Sequence, residues 1–190
     1  LTAIAQIIAD ELEADWSRVR VLQAPGDRKY GDQNTDGSRS IRFNFRRLRI
    51  AGASVRHMLR VAGAGQLSVP AAECTVQNHQ VIHERSGRRR EFADVVGDLH
   101  KVDVPAADKV QLKTRDQWRY INTSQSSVDI DALVTGAATF GADVRLPNTS
   151  VAVIARPPVV SGKVRRYNAS AAKALPGVLE VVELPAPTAP

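Results

Sequence analysis

Cysteine is almost missing from this 190-residue chain, where Cys74 stands alone. One thiol excludes an intrachain disulfide and a thiolate cluster for zinc or iron–sulfur. Cys74 falls in a short strand-like run and reads as a small buried residue rather than a nucleophile. Aromatic residues make up only 5% of the chain, and none is interleaved with the basic helix face described below, which leaves little for nucleic-acid bases to stack on. No apolar run approaches 18 residues, so no membrane-spanning helix is expected. A starting methionine and a signal-peptide pattern are lacking as well. The chain opens at Leu1 inside a helical pattern and closes in the proline-rich "LPAPTAP", a linker composition, so it reads as a piece of something larger.

What is present describes a folded α+β protein. Hydrophobic residues make up 43% of the chain, enough for a packed core, and the net charge of +6 permits an anionic partner without requiring one. Residues 2–14 place Ile4, Ile7, Ile8 and Leu12 at helical spacing, with Thr2 as a candidate cap. "VRVLQAP" (19–25) reads as a strand, and residues 26–37 as a loop rich in Gly, Asp and Asn. A long helix is predicted over 38–62, stopped by Gly63 and Gly65. Ile41, Phe45, Leu48, Val55 and Leu59 share one stripe of it, and Gly52 in the same row would let another backbone come close. Arg39, Arg42, Arg46, Arg49, Arg56 and Arg60 form a second stripe. Residues 73–93 read as a β meander with turns at Asn78-His79 and Ser86-Gly87, followed by a short helix in "FADVVGDLH". From about residue 128 the texture changes, with strands expected at 150–158, in "GKVRRYN" and in "VLEVVEL", and a short helix in "ASAAKALPG". The domain reading is 1–104, a connector at 105–127, a second α+β unit at 128–184 and a linker at 185–190.

The junction "TDGSRS" is the best candidate site. A helix start exposes N–H groups and favours anions, Gly37 permits close approach, and Ser38 and Arg39 offer a hydroxyl and a forked guanidinium. A capped helix in an ordinary basic protein explains the same residues. His79 and His83 would suit zinc on a helix, but in a strand they sit about 13 Å apart. No Ser/His/Asp arrangement or nucleotide-binding glycine signature appears, so neither a catalytic residue nor a metal ligand is assigned.

The order of segments carries a resemblance. "LTAIAQIIADELEADWSRVRVLQAP", "KYGDQNTDGSRSIR", "LRIAGASVRHML" and "VPAAEC" resemble the molybdopterin-binding large subunit of the xanthine dehydrogenase/aldehyde oxidase family, of the isoquinoline 1-oxidoreductase beta-subunit type. "VTGAATFGADVRLPNTSVAVIARPPVVSGKVRRYNASAAKALPGVLEVV" resembles that family's α/β hammerhead domain. The resemblance implies part of a molybdopterin-binding domain over 1–104 followed by a hammerhead domain over 128–184. It implies contact of Gln33, Thr35, Gly37, Ser38 and Arg39 with molybdopterin cytosine dinucleotide. It further implies hydroxylation of an aldehyde or N-heterocycle with water as oxygen source. The implied partners are the remainder of the large subunit, a small subunit carrying iron–sulfur clusters, and a cytochrome c acceptor, in a periplasmic or membrane-associated setting. Asp36 stands where the family usually has a second glycine, Asn122 stands where it prefers glycine, and Asn148-Thr149 replaces its usual Gly-Met. The family's upstream glutamine-containing glycine loop and its downstream catalytic glutamate have no match, so this chain by itself is expected to be inactive. The rival reading is a non-catalytic basic domain that binds nucleic acid or an acidic protein through the arginine stripe, although the family resemblance implies no nucleic-acid partner. A third is a structural piece that packs partner domains through exposed apolar residues at 2–14 or 150–156.

Overall fold

The computed structural model describes residues 1–159 and 162–185, which fall into two compact units divided between Thr139 and Phe140. The terminal stretch 186–190 of the expected linker lies outside the described residues.

The first unit is built on two helices. α1 spans Thr2–Leu12 and ends at Glu13 in the left-handed conformation (φ 62°). Thr2 lies inside the helix and not at its cap. Its hydroxyl instead accepts from the Val128 N–H at 3.0 Å, which ties the start of α1 to a distant segment. The long helix expected over 38–62 is two helices, a single turn α2 at Arg39–Arg42 and a long α3 at Phe45–Leu67. The break falls at Asn44, whose side chain donates to the Ser40 carbonyl. That bond satisfies a carbonyl near the end of α2 and marks the turn between the helices. Gly63 and Gly65 do not stop α3, which continues until Ser68 turns left-handed (φ 55°). Gly63 is a packing position: a Cβ there would lie 2.8 Å from Val81 Cγ1, so the helix rests directly on the sheet.

α1 crosses α3 at Gly52, as the stripe predicts. A Cβ on Gly52 would sit 2.6 Å from the Ile8 carbonyl oxygen, closer than two packed backbones permit. The buried face of α3 runs through Gly52, Ala53, Leu59, Ala62, Gly63 and Leu67, while Val55 is exposed. Further along, the same face of α3 covers a three-stranded antiparallel meander of β1 (Cys74–Gln77), β2 (Gln80–His83) and β3 (Arg89–Glu91). Asn78 and His79 both have positive φ, 47° and 68°, as a two-residue hairpin turn requires. α4 (Phe92–Val95) and a following 3₁₀ stretch close the core, in which Leu59, Leu67, Cys74, Val81, Phe92 and Val95 pack together. α5 (Ile130–Val134) completes the unit.

Residues 19–25, expected as a strand, carry no ladder among the described residues. The second unit holds a 3₁₀ turn at Gly141–Asp143 and one helical turn, α6, at Ser170–Lys173, inside the segment expected to be helical. The segments 150–158, 162–168 and 178–184, expected as strands, are likewise unladdered among the described residues. Their β-branched composition favours extension, but a strand is completed only by hydrogen-bonded neighbours. Val151 and Val153 are 93% and 94% exposed.

Candidate cofactor-binding site

The loop over residues 26–38 is tied together by its own side chains. Asp27 accepts from the Lys29 N–H at 2.9 Å and starts a 3₁₀ turn at Arg28–Tyr30. Gln33 accepts from the Asp27 N–H and donates to the Pro25 carbonyl, each at 3.1 Å. Both ends of its amide are therefore spent on closing the loop, which makes it a brace. Asp32 accepts from the Asn34 N–H, and the Asn34 amide in turn donates to Asp36 Oδ2 at 2.8 Å.

Asp36 is the centre of the junction. Its Oδ1 accepts from Arg39 Nε at 2.5 Å, and its backbone carbonyl accepts the Arg39 N–H at 2.9 Å. Gly37 and Ser38 between them both have positive φ, 46° and 57°, which makes a tight turn, and among the described residues neither N–H has a protein acceptor. Ser38 makes no capping bond, which removes the reading of it as a plain helix cap. Only the Arg39 Nε edge is engaged, and among the described residues the Nη groups have no protein acceptor. Thr35, Gly37 and Ser38 are exposed and Arg39 is half-buried. The predicted residues thus lie in one short arc, with Gln33 bracing it from behind. The spacing predicts a long helix behind this arc. The structure gives a single turn of four residues, so the dipole there is small and the arginine carries the positive charge.

The arginine stripe is not one solvent face. Arg49 Nε donates to Glu11 Oε1 at 2.6 Å and its Nη2 to the Lys113 carbonyl, while Arg56 donates to the Gln111 carbonyl and lies 3.6 Å from Glu11 Oε2. Glu11 is fully buried, and it draws both guanidiniums inward against α1. Burial lowers the Arg56 pKa from its ordinary value, against the opposing pull of Glu11. Arg42, Arg46 and Arg47 stay exposed.

Sequence reasoning missed the buried carboxylates that organise this region. Asp10 is also fully buried. Its Oδ2 accepts the N–H groups of Arg119, Tyr120 and Ile121 at 2.9, 2.7 and 2.8 Å, and its Oδ1 accepts Lys113 Nζ at 2.8 Å. Burial would raise the Asp10 pKa, but the donors from Ile121, Lys113 and Tyr120 outweigh it and the carboxyl titrates below its ordinary range. Lys113 Nζ also meets Glu13 at 2.6 Å, and Arg119 meets Glu13 at 2.8 Å. The one sequence signal was "DE" in the last turn of a helix rich in Ala and Ile.

The histidines of the meander are held by protein partners. His79 Nδ1 accepts the Asp15 N–H at 2.7 Å and its ring stacks on Phe92 with centroids 4.6 Å apart. His83 lies between Ser86 and Glu73. Burial raises the Cys74 pKa, as expected for an inert thiol.

The first unit is thus a helix pair bearing a small antiparallel sheet, with a glycine–serine–arginine arc at the start of α2. The chain belongs to the family described as the molybdopterin cofactor-binding domain, whose model matches residues 1–151. It is similar to the beta subunit of the isoquinoline 1-oxidoreductase of Brevundimonas diminuta, at 31% identity over 97% of this chain and 28% of that protein. It is also similar to a membrane-bound aldehyde dehydrogenase (pyrroloquinoline-quinone) of Gluconacetobacter polyoxogenes, at 32% identity over 98% of this chain and 25% of that protein. A nicotinate dehydrogenase subunit of Pseudomonas putida is 30% identical over 95% of this chain and 16% of that protein. The chain therefore spans little more than a quarter of the length of these relatives, or less.

Proposed function

We propose that this chain supplies one edge of the cofactor cradle in the large subunit of a molybdenum hydroxylase that oxidises aldehydes or N-heterocycles. In this reading residues 1–104 belong to the molybdopterin-binding domain, 105–127 connect, and 128–184 form an α/β hammerhead domain. The remainder of the large subunit and a small iron–sulfur subunit complete the enzyme, with a cytochrome c as acceptor. The names and coverage of the relatives support this. So does the exposure of Val151 and Val153, which suits packing against further polypeptide.

The cofactor in question is molybdopterin cytosine dinucleotide. The observation that favours its binding is the arc at residues 35–39, where an aligned guanidinium has its Nη edge open near two N–H groups without protein acceptors and two hydroxyls. These residues fit a pyrophosphate: Arg39 pairs with its charge, Gly37 and Ser38 offer N–H groups, and Thr35 and Ser38 offer hydroxyls. When bound, the group supplies the redox centre for hydroxylation with water as oxygen source. This chain's own residues bind and orient its tail, and no residue here is assigned a proton-transfer role.

Asp36 shapes the test. Its carboxylate aligns Arg39 but also offsets part of the positive charge seen by an anion. Titration calorimetry of the full chain with cytidine 5′-diphosphate should show binding that R39Q weakens about 10- to 100-fold, the range for a lost charge-assisted hydrogen bond. D36N should tighten binding, because one like charge leaves the arc. Equal affinity for R39Q and the unaltered chain would contradict the reading.

A further inference from the structure

The Ser86-Gly87 turn, read from the sequence as an ordinary hairpin loop, holds an ordered proton relay. His83 is 6% exposed at the end of β2. Its Nε2 lies 2.9 Å from Glu73 Oε2 and its Nδ1 lies 2.7 Å from Ser86 Oγ. For a neutral imidazole, both contacts suit the tautomer with its hydrogen on Nε2. Glu73 has only lone pairs to offer when ionised, so Nε2 carries the hydrogen and Nδ1 presents a lone pair to the serine hydroxyl. Arg88 donates to the same Ser86 Oγ from its Nε at 3.1 Å and from its backbone N–H at 3.4 Å, which engages the oxygen lone pairs and directs the hydroxyl hydrogen toward the imidazole. Ser86 itself is exposed.

Strand pairing holds the parts in place. Cys74, the residue after Glu73, is in register with His83 across the β1–β2 pair. The Glu84 N–H donates to the Glu73 carbonyl at 3.2 Å, the His83 N–H donates to the Arg88 carbonyl at 2.9 Å and the Gly87 N–H donates to the His83 carbonyl at 2.9 Å. Gly87 is left-handed (φ 68°) with nothing within 4 Å of its missing Cβ, and Ser86 beside it is exposed to solvent. Arg85, 81% exposed at its side chain, lies 3.9 Å from Glu73 and adds a second cation.

We propose that Ser86 is a nucleophilic serine, with His83 as its general base and Glu73 as the positioning residue, acting on small acyl esters. Roles in such a relay are defined by geometry, and here the two imidazole nitrogens are used in the reverse of the usual order. The substrate class follows from the site: Ser86 is exposed and flanked by Arg85 and Arg88, which suits a short acyl group on an anionic or electron-poor leaving group. In acylation the Ser86 Oγ–carbonyl carbon bond forms, its proton passes to His83 Nδ1, and the ester carbon–oxygen bond breaks with that proton delivered to the leaving alkoxide. In deacylation water gives a proton to His83 and its oxygen to the acyl carbon, the Ser86 Oγ–acyl carbon bond breaks to release the carboxylic acid, and the proton returns to Ser86 Oγ. Arg88, already beside the serine oxygen, is the cation nearest to the negative charge that collects on the carbonyl oxygen. Spacing alone conceals the relay, because Glu73 lies ten residues before His83 and only the strand register brings the two together.

The test is labelling of the full folded chain with an alkyl fluorophosphonate, read by intact mass. One adduct is expected on the unaltered chain and none on S86A, while S86C, which keeps a nucleophile, is alkylated by iodoacetamide faster than Cys74. H83Q should slow labelling about 100-fold, the lower end for a lost general base. E73A should slow it too, with E73Q restoring part of the rate because its amide oxygen can still accept from Nε2. A control in urea separates the relay from the intrinsic reactivity of a serine, since the unaltered chain must lose its labelling there. No adduct on the folded chain, an adduct that persists in S86A, or equal rates before and after unfolding would overturn the proposal.

Discussion

At the scale of single residues, the decisive feature is how often one side chain serves two distant segments. His79 is an example. Its Nδ1 takes the Asp15 N–H beyond the end of α1, and its own N–H donates to the Glu13 carbonyl at 2.9 Å. Burial first, and then the nearby Arg18, lowers the His79 pKa, against Asp15 and Glu91. A base with a depressed folded pKa contributes stability that is present above its unfolded value, about 6.5, and is lost as pH falls through the folded value. The chemistry agrees, because a protonated Nδ1 can no longer accept the Asp15 hydrogen. Denaturant midpoints of the full chain should therefore fall as pH drops below about 6.5. In H79N, which tolerates positive φ and keeps an acceptor, that part of the slope should vanish. An unchanged slope in H79N would show that other groups control it.

At the scale of elements, the α1–α3 crossing and the connector both hang on α1. Gly52→Ala would push a methyl into the Ile8 carbonyl of the facing helix, and a rigid backbone cannot yield as a side chain can. The expected loss is about 1–3 kcal/mol in urea unfolding, the range for overpacking. Asp10→Ala leaves Lys113 buried without that partner and frees three N–H groups of the 119–121 segment. Amide hydrogen exchange at Arg119, Tyr120 and Ile121 should accelerate far more than exchange in β2, whose bonds do not depend on Asp10; uniform acceleration would instead indicate global unfolding.

Legibility differed between elements for physical reasons. The meander was readable because its turn residues are dictated by local φ, and Gly52 was readable because a gap in an apolar row has few causes besides close packing. The break at Asn44 was not, since it depends on one side-chain bond to Ser40. Nor was the inward turn of Arg49 and Arg56, because their partner Glu11 is 38 residues away from Arg49. The positions of the candidate arc at Thr35, Gly37, Ser38 and Arg39 could be picked out in advance, yet Gln33 as a brace and Asp36 as the clamp on Arg39 depend on loop geometry that spacing does not encode.

At the scale of the whole chain, membership in the molybdopterin cofactor-binding domain family meets a fold in which most buried charge is spent internally and one small arc is not. That arc competes for anions with the arginine-rich hairpin at Arg85, Arg88 and Arg89, whose side chains are also exposed. The two are separable in solution. Cytidine 5′-diphosphate titrated into the ¹⁵N-labelled full chain should shift the backbone amides of Thr35, Gly37, Ser38 and Arg39 along one saturating curve, with those of residues 85–90 nearly still. Shifts confined to residues 85–90, or spread over every exposed arginine without saturation, would contradict a cofactor-tail site at the start of α2.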